Sequence, residues 1–245
     1  AKFVISLTMF YEMFKTVQNR TSVEKVIISN IKEYLPGLAR LLFTLVKEKK
    51  DGHYLSLLGE GDVWFQDVLR DYSAMEQPDV EINAGEDVAI FQYTGGTTGV
   101  PKGAMSTHRA LVSNTYTMQR WLTSKDISNE MLLGAVPFFH VYGLVCLVAY
   151  AASSGATIII VPNARNTEDV VGNIEKWRPT VFVGVPALFN ALNRDAAVLE
   201  GRADISSPRV CFSGSAPLAP DTKRRFEELA STTILEGFGM SEAPT

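Results

Sequence analysis

A glycine- and threonine-rich segment, Tyr93–Gly103, carries the strongest chemical signal in the sequence. It reads Tyr-Thr-Gly-Gly-Thr-Thr-Gly-Val-Pro-Lys-Gly and follows an apolar run. Glycines let backbone N–H groups approach an anion closely, and the threonine hydroxyls can donate further hydrogen bonds. Lys102 adds a mobile positive charge. This combination predicts a loop that binds a polyphosphate rather than a plain surface turn.

The segment differs from a Walker A loop, in which a glycine precedes the lysine and a serine or threonine follows it. Counted from Gly96, Pro101 stands where the second glycine is required, and Gly103 stands where the magnesium-binding hydroxyl is required. An ordinary P-loop ATPase or GTPase is therefore disfavoured. A phosphotransferase with a divergent P-loop would also need a catalytic base and an acceptor site, and the sequence shows a signature of neither.

Three further motifs each follow a predicted strand, namely Pro137–Leu144, Ser213–Leu218 and Glu236–Glu242. The first contains aromatic residues and His140. From the residues alone, His140 could also be a buried histidine whose ring nitrogens are hydrogen-bonded inside the protein. The last ends in Glu242, which alone could be a solvated surface charge. Because Mg²⁺ takes one or two carboxylates together with phosphate oxygens and water, Glu242 is also a candidate metal ligand.

The four motifs, in this order, resemble those of the adenylate-forming superfamily, which includes acyl-CoA synthetases, firefly luciferase and peptide-synthetase adenylation domains. The Thr-Gly-Gly-Thr-Thr-Gly form is most similar to that of prokaryotic long-chain fatty-acid–CoA ligases. Gly95 stands where the family usually has serine or threonine, Phe238 where it has tyrosine, and Ser241 where it has threonine. The resemblance spans at least residues 88–245, and residues 1–87 are compatible with it but carry no specific motif.

The resemblance implies ATP-dependent activation of a carboxylic acid, expected to be a fatty acid, to an acyl-adenylate and then to its coenzyme A thioester. It implies Lys102, His140 and Glu242 as catalytic residues, with Glu242 and Thr94 as ligands of Mg²⁺. The residues that it implies for binding ATP are Thr94, Gly95, Gly96, Thr97, Thr98, Gly99, Lys102, Gly214, Ser215, Ala216, Pro217, Glu236, Gly237, Phe238, Gly239, Met240 and Ser241.

Other functions stay open at this stage. The chain could be a non-catalytic module that binds a nucleotide or an acyl group, or it could activate an aryl or amino acid. The family pattern continues beyond Glu242 with a ribose-binding aspartate, a hinge and a small C-terminal domain that bears a catalytic lysine. We therefore expect a central fragment of the family's large domain, with little or no activity on its own.

The elements that position these motifs alternate between strand and helix, which predicts an α/β fold of mainly parallel β-sheets covered by helices. Residues 1–87 are expected to form an N-terminal portion of the layered large domain, and residues 88–245 the ATP/AMP-binding portion. The predicted strands are Phe3–Leu7, Lys25–Ile28, Val88–Tyr93, Leu132–Val136, Thr157–Val161, Thr180–Val183, Val210–Phe212 and Thr233–Leu235. Val88–Tyr93 is expected to be buried. The predicted helices are Phe10–Val17, Leu38–Lys49, Trp64–Tyr72, Gly143–Ala152, Thr167–Trp177, Ala187–Asn193 and Pro220–Ala230.

Composition excludes some classes of partner and location. The net charge is −4, which gives no reason to expect nucleic-acid binding. The stretch 131–162 lacks charged residues, but its proline and glycine breakers favour a buried strand–helix–strand over a membrane span. Two cysteines in apolar runs suggest reduced core thiols and a cytoplasmic location. The cluster Lys47, Lys49 and Lys50 is interpreted as a solvated helix end, with a membrane-surface role as the alternative. Peripheral membrane contact and a homodimer of the full-length parent both stay open.

Overall fold

The computed structural model describes residues 1–95, 99–122 and 129–243. The chain divides into two compact units between Val80 and Glu81. The sequence predicts the boundary between its two portions after residue 87. That both portions belong to one large domain stays a prediction.

The first unit is a small parallel α/β structure. Its core contains Tyr11, Val26 and Ile28, and its sheet consists of three parallel strands in sequence order. Its elements are β1 (Phe3–Leu7), α1 (Tyr11–Gln18), β2 (Lys25–Ser29), α2 (Gly37–Leu42), β3 (Val63–Trp64) and α3 (Phe65–Tyr72), and α2 continues as a π-helical turn, Phe43–Lys47.

Asp62 ties this unit together although its side chain is fully buried. Its carboxylate accepts hydrogen bonds from the Tyr11 hydroxyl at 2.7 Å, from Lys15 Nζ at 2.8 Å and from the Val26 N–H at 2.9 Å. Burial works to raise the pKa of Asp62, but these donors outweigh it and lower the pKa. Because both carboxylate oxygens accept hydrogen bonds and one of the donors is the Lys15 ammonium, the buried charge is compensated.

The second unit contains a hairpin and a larger sheet. The antiparallel hairpin is β4 (Val88–Thr94) with β5 (Lys102–Thr107), and α4 (His108–Leu122) follows it. The remaining elements are β6 (Met131–Gly134), α5 (Val141–Gly143), a π-helical turn (Leu144–Ala149), α6 (Tyr150–Ser154), β7 (Thr157–Ile160), α7 (Thr167–Trp177), β8 (Val181–Gly184), α8 (Pro186–Leu192), α9 (Ala196–Leu199), β9 (Val210–Ser213), α10 (Pro220–Ala230) and β10 (Ile234–Glu236).

The larger sheet is parallel throughout, and its order is β10-β9-β8-β6-β7. Alternate strand residues bury opposite faces: Phe182 packs with α7, α8 and α10, whereas Val181 and Val183 pack with the helical segment that includes Leu147 and Tyr150. The chain reverses direction across the sheet between β6 and β8, which is where open α/β sheets bind ligands.

Most predicted elements are present, so the parallel α/β fold is confirmed. The uncharged stretch 131–162 forms β6, a helix and β7, as expected, and Gly155 ends that helix at φ +73°. Among the helices of the described residues, none has the length and apolar character needed to cross a membrane.

Two expectations are wrong. The strand Val88–Thr94 is not buried, since Phe91 is 55% exposed and Tyr93 is 67% exposed. Its neighbour β5 was not predicted at all, and Lys102 lies on that strand. A two-stranded hairpin leaves much of its surface uncovered, and β4 therefore keeps apolar side chains in solvent despite its apolar composition.

Candidate active site

Loops that follow β6, β9 and β10 converge on one cavity at the carboxyl edge of the parallel sheet. Its volume is about 470 Å³. Of the predicted site residues, the cavity brings together His140, Gly214, Ser215 and the segment 236–241. Met118, Trp121, Val145 and Cys146 supply much of the apolar wall. The sequence thus identified three loops that meet in space although they are separated by up to about a hundred residues.

The loop after β6 turns sharply because of Gly143. A Cβ atom at this position would lie 2.3 Å from the Pro137 carbonyl oxygen, so only glycine allows the backbone to approach this closely. The turn leaves His140 as the residue that caps α5. Glycine is therefore required here for packing of the main chain, and it sets the position of the histidine.

The side chain of His140 has a defined hydrogen-bonding role. Its Nδ1 accepts a hydrogen bond from the Tyr142 N–H at 3.2 Å. An acceptor Nδ1 places the proton of the neutral ring on Nε2. Since His140 is exposed and lines the cavity, it can offer this Nε2–H to an anionic oxygen of a ligand.

Tyr142 joins the loop to the rest of the sheet edge. Its hydroxyl lies 3.1 Å from the Gly184 carbonyl oxygen and 3.1 Å from that of Phe212, at the ends of β8 and β9. Its ring lies so close to Gly214 that a Cβ atom there would be 3.0 Å from it. Burial raises the pKa of Tyr142 well above its usual value, which keeps the hydroxyl a donor. Sequence reasoning noted this tyrosine only as part of a motif and missed its role as a tether.

The loop after β9 contains backbone strain. Ser215 adopts φ +71°, a left-handed conformation that favours glycine. Just before it, the buried Ser213 Oγ has no hydrogen-bond partner among the described residues. Strain and an unsatisfied hydroxyl together are typical of a backbone shaped for a ligand rather than for stability.

The segment after β10 presents an aromatic ring and backbone groups. The Gly237 N–H donates to the Ser213 carbonyl at 2.9 Å, which holds this loop against the preceding one. Glu236 forms an ion pair with Lys223 at 3.5 Å. Phe238 is 87% exposed and lines the cavity, so its ring can stack on a planar ligand.

The predicted phosphate loop is described only in part, because Gly96, Thr97 and Thr98 lie outside the described residues. Thr94 and Lys102 are opposite one another in the hairpin register. A Cβ atom at Gly95 would meet none of the described residues within 4 Å, and Gly99 has φ +80°. Thr94, Gly95, Gly99 and Lys102 do not line the cavity. Their part in a common site stays a prediction.

Glu242, Ala216 and Pro217 also lie beside the cavity lining rather than in it. Glu242 is exposed in the turn closed by the bridge between Met240 and Ala243. Within the part of the chain that the structure describes, its carboxylate makes no hydrogen bond or ion pair, and no group of three or more metal-ligating side chains occurs. A single uncommitted carboxylate fits Mg²⁺, which takes most of its other ligands from phosphate and water.

A second cavity of about 770 Å³ opens at the same edge of the sheet. Residues that follow β6, β7 and β8 line it, among them Phe138, Asn163, Arg165 and Leu188. Residues 137–139 line this second cavity, and residues 140–142 line the first. The loop that carries His140 therefore separates two spaces. Sequence reasoning did not find the second cavity, because only residues 137–139 of its lining belong to a motif.

Comparisons with known proteins agree with this arrangement. The family model of AMP-binding enzymes matches residues 9–245. The long-chain-fatty-acid–CoA ligase of Bacillus subtilis (strain 168) is 31% identical over 241 residues, which are 98% of this chain and 42% of the relative. A probable 4-coumarate–CoA ligase of Dictyostelium discoideum is 28% identical over 227 residues, 90% of this chain and 40% of the relative. The chain thus spans about two fifths of these relatives' length.

Solved structures show the same fold. The crystal structure of a long-chain-fatty-acid–CoA ligase from Archaeoglobus fulgidus has a TM-score of 0.73 and 25% identity, covering 99% of this chain and 43% of that one. An anthranilate CoA ligase in complex with anthranoyl-AMP has a TM-score of 0.70 and 21% identity, covering 99% and 40%. With the sheet-edge cavity and its three motif loops, the match over residues 9–245 shows that this chain belongs to the AMP-binding enzyme family.

Proposed function

We propose that the protein activates a carboxylic acid with ATP and then transfers the acyl group to coenzyme A. In the first step a carboxylate oxygen attacks the α-phosphorus of ATP, forming the acyl-adenylate and releasing pyrophosphate. In the second step the thiol sulfur attacks the acyl carbon, AMP leaves with the bonding electrons, and the thiol proton is released. The observation that carries this proposal is the single cavity shared by the loops after β6, β9 and β10.

The chain's own residues have distinct tasks in this scheme. His140 donates its Nε2–H to the substrate carboxylate and orients it, which is consistent with its fixed Nδ1 and its exposure. Phe238 stacks on the adenine, and the strained backbone at Ser215 contacts the purine edge. Two cavities separated by the His140 loop allow the acyl-adenylate and the incoming thiol to approach from different sides.

Charge neutralisation decides the first step because two anions must meet. Lys102 and the backbone N–H groups of the loop after β4 hold the departing pyrophosphate. A donor aimed at developing charge typically lowers the barrier by about 3 kcal/mol. Glu242 and Thr94 would hold Mg²⁺, and the bound ion would supply further electrostatic stabilisation of the phosphates.

A fatty acid is the proposed substrate. The apolar wall formed by Met118, Trp121, Val145 and Cys146 suits a hydrocarbon chain, and relatives with fatty-acid ligase names support it. The 4-coumarate–CoA ligase relative and the anthranilate ligase fold make an aryl acid the competing substrate class.

The test measures pyrophosphate release by the whole protein with ATP, Mg²⁺ and matched panels of fatty and aryl acids. We expect fatty acids to give the higher kcat/KM, and Lys102→Ala to lower it by roughly a hundredfold or more. The matched control is Lys2→Ala, which removes an exposed lysine of the first unit and should leave kcat/KM unchanged. Preference for aryl acids would overturn the substrate class. Nucleotide binding without acid-dependent pyrophosphate release would overturn the reaction and favour a binding module.

A further inference from the structure

The first unit carries an apolar helix face that points to solvent. Helix α2 and the π-helical turn that continues it, residues 37–47, hold five large aliphatic side chains that are 54% to 73% exposed. These side chains are Leu38, Leu41, Leu42, Leu45 and Val46. Their spacing of three and four residues places them on one side of the helix. This surface, residues 37–47, is called the apolar helix below.

The opposite side of the apolar helix fixes it to the body of the unit. Phe43 is its buried side chain. Glu48, just beyond its end, is buried and accepts hydrogen bonds from Asn30 Nδ2 at 2.9 Å and from Lys32 Nζ at 2.5 Å. A buried carboxylate with two donors is a specific anchor, and losing Lys32 would leave its charge without a counter-ion. The helix is therefore held in the orientation that exposes its leucines.

The charge next to the apolar helix is net positive, with three exposed lysines against the exposed Asp51, although the chain as a whole carries −4. Lys47, Lys49 and Lys50 are exposed, and none forms an ion pair within the described ranges. The other nearby cations, Lys32 and Arg40, are neutralised by Glu48 and Glu33. The interpretation of these lysines as a solvated helix end leaves the adjacent exposed leucines unexplained.

We propose that the apolar helix and the three lysines beside it form a docking surface for an anionic lipid bilayer. Eleven helical residues extend about 16 Å, roughly half the thickness of a bilayer's hydrocarbon core, so the helix lies in the interface and does not cross it. The lysines complement anionic headgroups. A second copy of the chain is a poorer partner, because a symmetric contact would bring the same unpaired lysines together.

The test is co-sedimentation of the protein with vesicles of phosphatidylcholine, with and without about 30% phosphatidylglycerol. We expect binding to the anionic vesicles that weakens as salt is added. The double variant Leu38→Ser with Leu45→Ser should lower the partition coefficient at least tenfold. The matched control, Val112→Ser with Leu199→Ser, alters two exposed aliphatic residues of the second unit and should leave the coefficient unchanged.

Neutralising the lysines separates charge from apolar contact. Lys47→Gln, Lys49→Gln and Lys50→Gln together should reduce binding to anionic vesicles, by about fivefold per lysine, and have little effect with phosphatidylcholine alone. No vesicle binding by the intact protein would overturn the proposal, as would an equal loss in the control variant. Concentration-dependent dimerisation abolished by Leu38→Ser with Leu45→Ser would assign the surface to a second copy instead. None of these readouts depends on acid activation, so this proposal and the proposed function can fail separately.

Discussion

Two regions predicted to contact the nucleotide are built in different ways. At the carboxyl edge of the parallel sheet, the loops after β6 and β9 are locked by a main-chain approach at Gly143 and by the Tyr142 hydroxyl. In the hairpin, Thr94 and Lys102 are paired only across two strands whose side chains are largely exposed. The carboxyl edge of the sheet can therefore fix the position of a ligand by packing. The hairpin can contribute charge and backbone donors, but no tightly packed side chains surround it.

The largest difference between the packed core of the second unit and the hairpin should be in the rate at which a thiol reacts. Burial raises the pKa of Cys146 and of Cys211, both in the second unit's core, from 9.0 to about 12. Since the thiolate is the reactive species, labelling by a disulfide reagent at neutral pH should be about a thousandfold slower than for an exposed thiol. A cysteine placed on the hairpin by Met105→Cys, 67% exposed, is the comparison. Equal labelling rates would show that the sheet edge opens as readily as the hairpin.

The same pKa values give a direction for stability with pH. The native thiols bind their protons more tightly than the unfolded chain does. Their contribution to the free energy of unfolding is complete below pH 9 and falls as the pH rises from 9 towards about 12. Replacing Cys146 by alanine should make this decline shallower in a denaturation series.

Replacing a glycine by alanine should lower the free energy of unfolding far more in the loop after β6 than in the hairpin. Gly143→Ala would place a Cβ atom 2.3 Å from the Pro137 carbonyl oxygen, and we expect a loss of about 3 kcal/mol or more in the free energy of unfolding. The Cβ atom of Gly95→Ala, beside the hairpin, would meet no atom within 4 Å in the part of the chain that the structure describes, and this variant should change the free energy of unfolding by less than about 0.5 kcal/mol. Urea denaturation measures both. A neutral Gly143→Ala would mean that the loop after β6 can move away without cost.

The tyrosine hydroxyls should differ by a smaller amount. Tyr142→Phe removes the donor shared by the Gly184 and Phe212 carbonyls and should cost about 1–2 kcal/mol. In the hairpin, Tyr93 is 67% exposed, so Tyr93→Phe should be close to neutral. If the tether positions the His140 loop, Tyr142→Phe should also raise KM for the acid more than it lowers kcat. An unchanged KM would limit Tyr142 to a structural role.

Serine-to-glycine changes should give the smallest effects, with opposite signs. Ser215 adopts φ +71°, so Ser215→Gly should relieve strain and stabilise the protein by about 0.5 kcal/mol. Ser106 lies in strand β5 and is 3% exposed, so Ser106→Gly should destabilise the protein by about 0.5–1 kcal/mol. Thermal unfolding of the pair provides the check. Destabilisation by Ser215→Gly would mean that its side chain, not its backbone, is what the loop needs.

The structure shows where sequence reasoning works. The bounds of α7 and α10 were predicted to the residue, because apolar periodicity and an N-terminal Asn166 or Pro220 are local signals. Strand β5 was missed because Lys102–Thr107 is only weakly apolar and becomes a strand by pairing with β4. The burial of β4 was overestimated for the same reason: a local pattern does not show how much of a strand its neighbours will cover.

The amino-acid pattern alone identified the family, the order of the four motifs along the chain and the residues that can do chemistry. Glycine, histidine, lysine and carboxylate side chains carry their chemical properties wherever they lie in the fold. Only the tertiary structure showed that Tyr142 ties the loop after β6 to the ends of β8 and β9, and that Gly143 is held against the Pro137 carbonyl oxygen. It alone also showed that five leucine and valine side chains of one helix face solvent. These features depend on contacts between segments distant in the chain, and the free energy of such contacts is set by geometry that no local pattern encodes.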